Sequence, residues 1–167
     1  MMRDGRDPLR VVCAGHVNWD VTLQVDRLPD PDGEACIAGQ YQSGGGSASN
    51  VAVALAGLDA SPLLLGSVGR DEHGWLVRRE LADAGVETAL VETDGETAVK
   101  YLVVDESGEL MMFGNAGANE AYAATDLSER ELSLATHLHL TSQAPETAAD
   151  LARAATRAGV PVSFDPG

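Results

Sequence analysis

Short apolar runs that alternate with amphipathic stretches of about a dozen residues, each ending at a glycine, constrain this chain most. Residues 62–68 read as a buried strand, 72–84 as a helix stopped at Gly85, and 86–92 as a strand. The order returns as strand 136–140, helix 146–158 closed by Gly159, and strand 160–164. Parallel strands need a crossover of about a dozen residues, usually a helix, so the spacing predicts βαβ units. The expectation is an α/β fold with a mostly parallel sheet flanked by helices, opened by strand 9–14 and its stop at Gly15. Residues 1–8 are expected to be a flexible N-terminus and 9–167 one domain. Two pieces do not suit such a sheet. Segment 21–26 alternates apolar and polar residues and 34–41 adds an exposed strand, while 98–104 and 109–113 form a hairpin around 105–108. Together they predict a small β-sheet lid near 21–41 and 98–113.

Between the first exposed strands and the helix 47–58 lies Gly44-Gly45-Gly46-Ser47-Ala48-Ser49-Asn50. Three glycines bare the backbone, and Asn50 follows Gly46 by four residues, on the same face of a first helical turn. Unpaired amides there point outward with the positive end of the helix dipole behind them. Such a corner suits a polyhydroxylated small molecule or an anion. A P-loop is excluded because no lysine follows the glycines, and a dinucleotide fingerprint because the first strand-to-helix turn, 15–18, lacks the required glycines.

The charge narrows the partners. The chain of 167 residues carries 26 acidic against 11 basic groups, a formal net charge of -15, and Lys100 is its single lysine. That field repels nucleic acid and anionic membranes, and its self-repulsion is relieved in concentrated salt, as in a halophilic cytosol. No signal-peptide core, no spanning apolar run and only Cys13 and Cys36 predict a cytoplasmic, reducing location. The four histidines lack metal-ligand spacing, and His137 and His139 alternate with leucines along one strand face. No metal site is expected.

Gly15-His16-Val17-Asn18-Trp19-Asp20 follows the first strand, where open α/β sheets collect ligands. Asn18 and Asp20 point to one side of an extended segment and supply the donors and acceptors that grip sugar hydroxyls. The same spacing also fits a turn in which both side chains bond local backbone. In Val68-Gly69-Arg70-Asp71-Glu72-His73-Gly74 the structural reading dominates: a tight turn, then Asp71 capping a helix.

In this order the motifs resemble the N-terminal half of the ribokinase-like, or PfkB, family of carbohydrate kinases. Gly15 to Asp20 matches its opening Gly-x-x-x-x-Asp, and Gly45, Gly46 and Asn50 its Gly-Gly-x-x-x-Asn helix start. Val68, Gly69, Asp71 and Gly74 match Val-Gly-x-Asp-x-x-Gly, Gly117-Ala118-Asn119 a Gly-Ala-Asn segment, and Asp165-Pro166-Gly167 the start of Asp-Pro-Asn-x-x-Arg. The resemblance implies a sugar or nucleoside kinase that transfers the ATP γ-phosphate to a hydroxyl. It implies sugar contacts from Asn18, Asp20, Gly45, Gly46 and Asn50, lid or substrate contacts from Ala98, Lys100, Asn119 and Gln143, and a nucleotide or magnesium contact from Asp165. It further implies closure of the lid over the acceptor and a homodimer through the lid.

Ser47 stands where ribokinases proper carry lysine, and Gln143 where they carry a substrate-side glutamate. Fructose, 2-keto-3-deoxygluconate, a sugar phosphate or a nucleoside therefore stay open as acceptors. The family's Asp-Thr-x-Gly-Ala-Gly-Asp signature, source of its anion hole and aspartate base, does not occur before Gly167. The expectation is an N-terminal fragment that carries the substrate-binding half, lacks a catalytic base and binds neither ATP nor Mg2+ stably by itself. The alternative is a non-catalytic sugar-binding or interaction module derived from such a kinase.

Overall fold

A computed structural model describes residues 9–166; the expected flexible segment 1–8 and the final Gly167 lie outside them. Five parallel strands form one sheet: β1 (Arg10–Ala14), β4 (Ser61–Gly69), β5 (Glu87–Thr93), β8 (His137–Leu140) and β9 (Val162–Phe164), in the order β5-β4-β1-β8-β9. The fully apolar runs became the inner strands: β4 is buried from Pro62 onward, and β1 from Val11. Helices cover both faces, as parallel sheets require. On one side α1 (Ser47–Gly57) and α2 (Glu72–Asp83) bury Ala48, Ala52, Val77 and Leu81 against Val11, Cys13, Leu64 and Val68. On the other, Leu132 from α3 (Glu129–Leu134) and Leu151 and Ala155 from α4 (Pro145–Ala158) meet Val12, Leu63, Leu138 and Leu140.

A second sheet of four strands departs from this one, in the order β3-β2-β6-β7. It holds β2 (Asn18–Val25), β3 (Ile37–Gly45), β6 (Ala98–Val104) and β7 (Leu110–Gly114). The β2–β3 and β6–β7 pairs are antiparallel, and β2–β6 is parallel. One face carries Trp19, Val21 and Val99 into the core with α1 and α2. The opposite face is open. Its rows run Gly45–Asn18–Ala98, then Ser43–Asp20–Lys100–Gly114, then Tyr41–Thr22–Leu102–Met112. Polar groups gather at the root and exposed apolar ones, Tyr41 and Met112, farther out.

Three local readings needed correction. Gly44 and Gly45 end β3 rather than opening a helix, so only Gly46 stands at the helix start, as N-cap. Residues 15–17 lead into β2, not into a helix, because Asn18 is already paired with Gly45 and Ala98. The helix α3 was not foreseen: six residues are too few to display a period, and its Ser128–Glu131 capping box was its one signal. Among the described residues no helix is long and apolar enough to cross a membrane.

Candidate functional site

Four chain crossings between the sheets meet at the root of the second sheet: 15–17, Gly46, 94–97 and the segment after Gly114. Gly15 and Gly46, each at one of these crossings, make the close approach possible. A Cβ on Gly46 would strike the His16 carbonyl and lie 2.8 Å from Val17 Cα, and its φ of 100° disfavours any side chain. A Cβ on Gly15 would strike Thr141 Oγ1, which is also bonded to Ser47 Oγ at 2.7 Å. The ends of β1 and β8 and the start of α1 are thus drawn to one point.

Asp20 lies against the diglycine. A Cβ on Gly45 would collide with its carboxylate, coming within 2.8 Å even of the farther oxygen. Asp20 Oδ1 is buried and accepts no hydrogen bond from the protein. Burial pushes this carboxyl above its ordinary value, against the downward pull of Lys100.

Asn18, two residues earlier on the same face, is buried and held by a relay. Asn119 Oδ1 accepts the Val17 N–H at 3.0 Å, so Asn119 Nδ2 faces Asn18 and donates to its Oδ1 at 2.8 Å. That chain fixes both amide orientations and leaves Asn18 Nδ2 buried without an acceptor. One orphan donor and one orphan acceptor therefore lie two residues apart on one face of β2, with Gly45 against both residues. A hydroxyl, which donates and accepts, can satisfy both.

The remaining expected residues fall into two groups. Ala98 and Lys100 follow Asn18 and Asp20 across the β2–β6 pairing, Ala98 buried and Lys100 exposed. Asn50 is one turn into α1, exposed, with its N–H donated to the Gly46 carbonyl at 2.9 Å. Gln143 is engaged by the protein: its amide donates to the carbonyls of Ala14 and Thr141, and Oε1 accepts from Tyr122. Asp165 follows β9 at the edge of the parallel sheet, two strands from β1, so it is not brought to the Asn18–Asp20 corner.

Sequence reasoning passed over several supports. Glu80 of α2 accepts the Gly44 N–H at 2.6 Å and pins the end of β3, a contact across 36 residues that no local pattern announces. Asp71 does more than cap α2 at Gly74: it also accepts from the Thr97 N–H at 2.8 Å and hydroxyl at 2.7 Å, fixing the entry to β6. His16 flanks the corner with Nε2 buried and 3.7 Å from Glu120. Its imidazole is held below the ordinary value by burial, opposed by Glu120 and reinforced by Lys100. Among the described residues no three His, Cys, Asp or Glu side chains gather as metal ligands. His137 Nε2 and His139 Nδ1 each lie 2.8 Å from Ser163 Oγ, on one sheet face.

The fold is ribokinase-like. It superposes on the structure of Arabidopsis thaliana ribokinase complexed with ribose and ATP with a TM-score of 0.82 at 25% identity, covering 97% of this chain and 54% of that one. Ribokinase from Giardia lamblia gives a TM-score of 0.86 at 23% identity, over 95% of this chain and 55% of that one. In sequence, the ATP-dependent ribose-1-phosphate kinase of Halopiger xanaduensis is 59% identical over 162 residues, covering 95% of this chain and 54% of the relative. The chain spans about half the length of these relatives. The pfkB family of carbohydrate kinases matches residues 8–167, and the chain belongs to that family.

Proposed function

We propose that this chain is the acceptor-binding portion of an ATP-dependent kinase whose acceptor is ribose 1-phosphate. One observation carries the reading: Asn18 Nδ2 and Asp20 Oδ1, from the same face of β2, are buried without protein partners, beside a glycine whose missing side chain leaves the carboxylate its place. Leaving two such atoms unpaired costs about 1–3 kcal/mol each, which ligand hydroxyls recover on binding. The Halopiger xanaduensis relative's name supports the acceptor and the phosphate donor. Because the relatives are kinases, a non-catalytic module is the weaker reading.

In this reading Asp20 accepts from a sugar hydroxyl while Asn18 donates to another oxygen, and the second sheet acts as a lid that excludes water. The reacting hydroxyl oxygen forms a bond to the γ-phosphorus as the bond to the ADP oxygen breaks. The described residues bind and orient. Among them no three His, Cys, Asp or Glu side chains gather as metal ligands. The net charge of -15 suits a salt-rich cytoplasm. The exposed Tyr41, Leu110 and Met112 on the open face suit a second copy packing lid to lid.

The test is phosphorylation of ribose 1-phosphate by ATP, using the complete gene product that carries this chain, with D20N as control. Turnover by the wild type that falls at least 100-fold in D20N supports the proposal. A wild type inactive on ribose 1-phosphate, or a D20N variant within a few-fold of wild type, defeats it.

A further inference from the structure

Resting on the reading of the Asn18–Asp20 corner as the acceptor site, we propose that Lys100 is the counter-charge that receives a phosphate group carried by the acceptor. It would be the residue by which the site prefers a phosphorylated sugar to a free one.

The inference starts from charge. An anionic acceptor must enter a chain of net charge -15, close to the Asp20 carboxylate. Like charges repel more strongly near a protein surface than in open water, so a fixed cation is needed. Few are available. Of the eight described arginines, five are ion-paired and Arg79 lies over the Trp75 ring. Arg130 and Arg157 belong to α3 and α4, on the far face of the parallel sheet. Burial disfavours the charged form of His16.

Lys100, the single lysine, occupies the right row. It is the β6 partner of Asp20 in register, so both side chains rise from the same open face on neighbouring strands. The ammonium makes no ion pair with Asp20 or with any other described residue, yet its field reaches both Asp20 and His16. It is thus close enough to shape the site and still has its donors to give. On the other flank stands Gly114, whose absent side chain keeps the row open: a Cβ there would sit 3.3 Å from Lys100 Cγ. A charge-assisted contact from such a group to a phosphate oxygen is among the stronger single polar contacts a site can make.

In the complete gene product, the KM for ribose 1-phosphate and the inhibition constant of ribose as competitor are measured in wild type, K100Q and K100R. The expected result is a KM raised about 10–100-fold in K100Q, with K100R recovering most of it. The ribose inhibition constant should move less than threefold, because ribose carries no phosphate. A K100Q variant with an unchanged KM, or one that weakens ribose and ribose 1-phosphate equally, overturns the role of Lys100 while leaving the kinase reading intact. A wild type inactive on ribose 1-phosphate overturns both.

Discussion

Replacing Gly45 by alanine tests the site more sharply than replacing a polar residue. The added methyl must occupy space held by the Asp20 carboxylate, with Oδ1 at 2.8 Å and Cγ and Oδ2 closer. Gly45 has no left-handed φ, so the backbone itself accepts an alanine. The strain therefore belongs to the side-chain collision alone. Two outcomes are open to the molecule. Either the collision is retained, at about 1–3 kcal/mol, or Asp20 swings to another rotamer and abandons the corner. Both remove the carboxylate from its place beside Asn18. Losing one hydrogen bond to a charged group, about 1.5–3 kcal/mol, lowers acceptor affinity about 10–100-fold. The assay is a double-mutant cycle on the complete gene product, with calorimetric titration of ribose 1-phosphate and urea unfolding of G45A, D20A and the pair. In the D20A background the methyl meets no carboxylate. There G45A should cost no further affinity, and stability should be unchanged or raised by up to about 1 kcal/mol. Affinity of G45A within twofold of wild type, or effects that simply add, would refute the contact between residues 20 and 45.

Asp20 also makes a stability prediction of unusual sign. Its folded-state carboxyl is raised by burial, so its contribution is favourable below the unfolded pKa and is lost as pH rises through the folded one. D20N should therefore melt higher than wild type at pH 7 in thermal denaturation, while failing to bind acceptor; a lower Tm would count against it. Asp71 runs the other way: burial would raise its carboxyl, but the bonds from Thr97 and Gly74 outweigh it and hold it low. Its stabilisation is present above the unfolded carboxylate range and lost as pH falls through the depressed value. D71A should lose about 2–4 kcal/mol in urea unfolding at pH 7, from the lost cap and the stranded Thr97 donors, and the gap to wild type should narrow toward pH 3.

The parallel sheet was legible because β1 and β4 are short, mostly apolar runs bounded by glycine or polar turns, and burial on both faces demands that pattern. The second sheet was harder to bound. Polar and apolar residues alternate without a break from Asn18 to Val25, with Asn18, Asp20 and Thr22 on the polar face. Taking 15–18 as a strand-to-helix turn hides that start and puts the strand at 21–26 instead. Glycines mislead similarly: Gly44 and Gly45 continue β3 because Asn18 and Trp19 pair with them, a tertiary fact without a local trace. Asn18 and Asp20 could be singled out from spacing. The orphaned Asn18 Nδ2 could not, because it depends on Asn119, 101 residues away, taking the other half of the Asn18 amide. The Asp71–Thr97 bonds and the Glu80 contact are equally non-local.

All four connections between the two sheets pass through the residues that flank Asn18, Gly45, Ala98 and Gly114. Any rocking of the outer sheet against the inner one would pivot on this seam, so a hinge there and the proposed ligand seat would be one mechanical part. A molecule gripping Asn18 and Asp20 would act as a wedge in a door-frame, and its size alone would set the angle at which the door comes to rest.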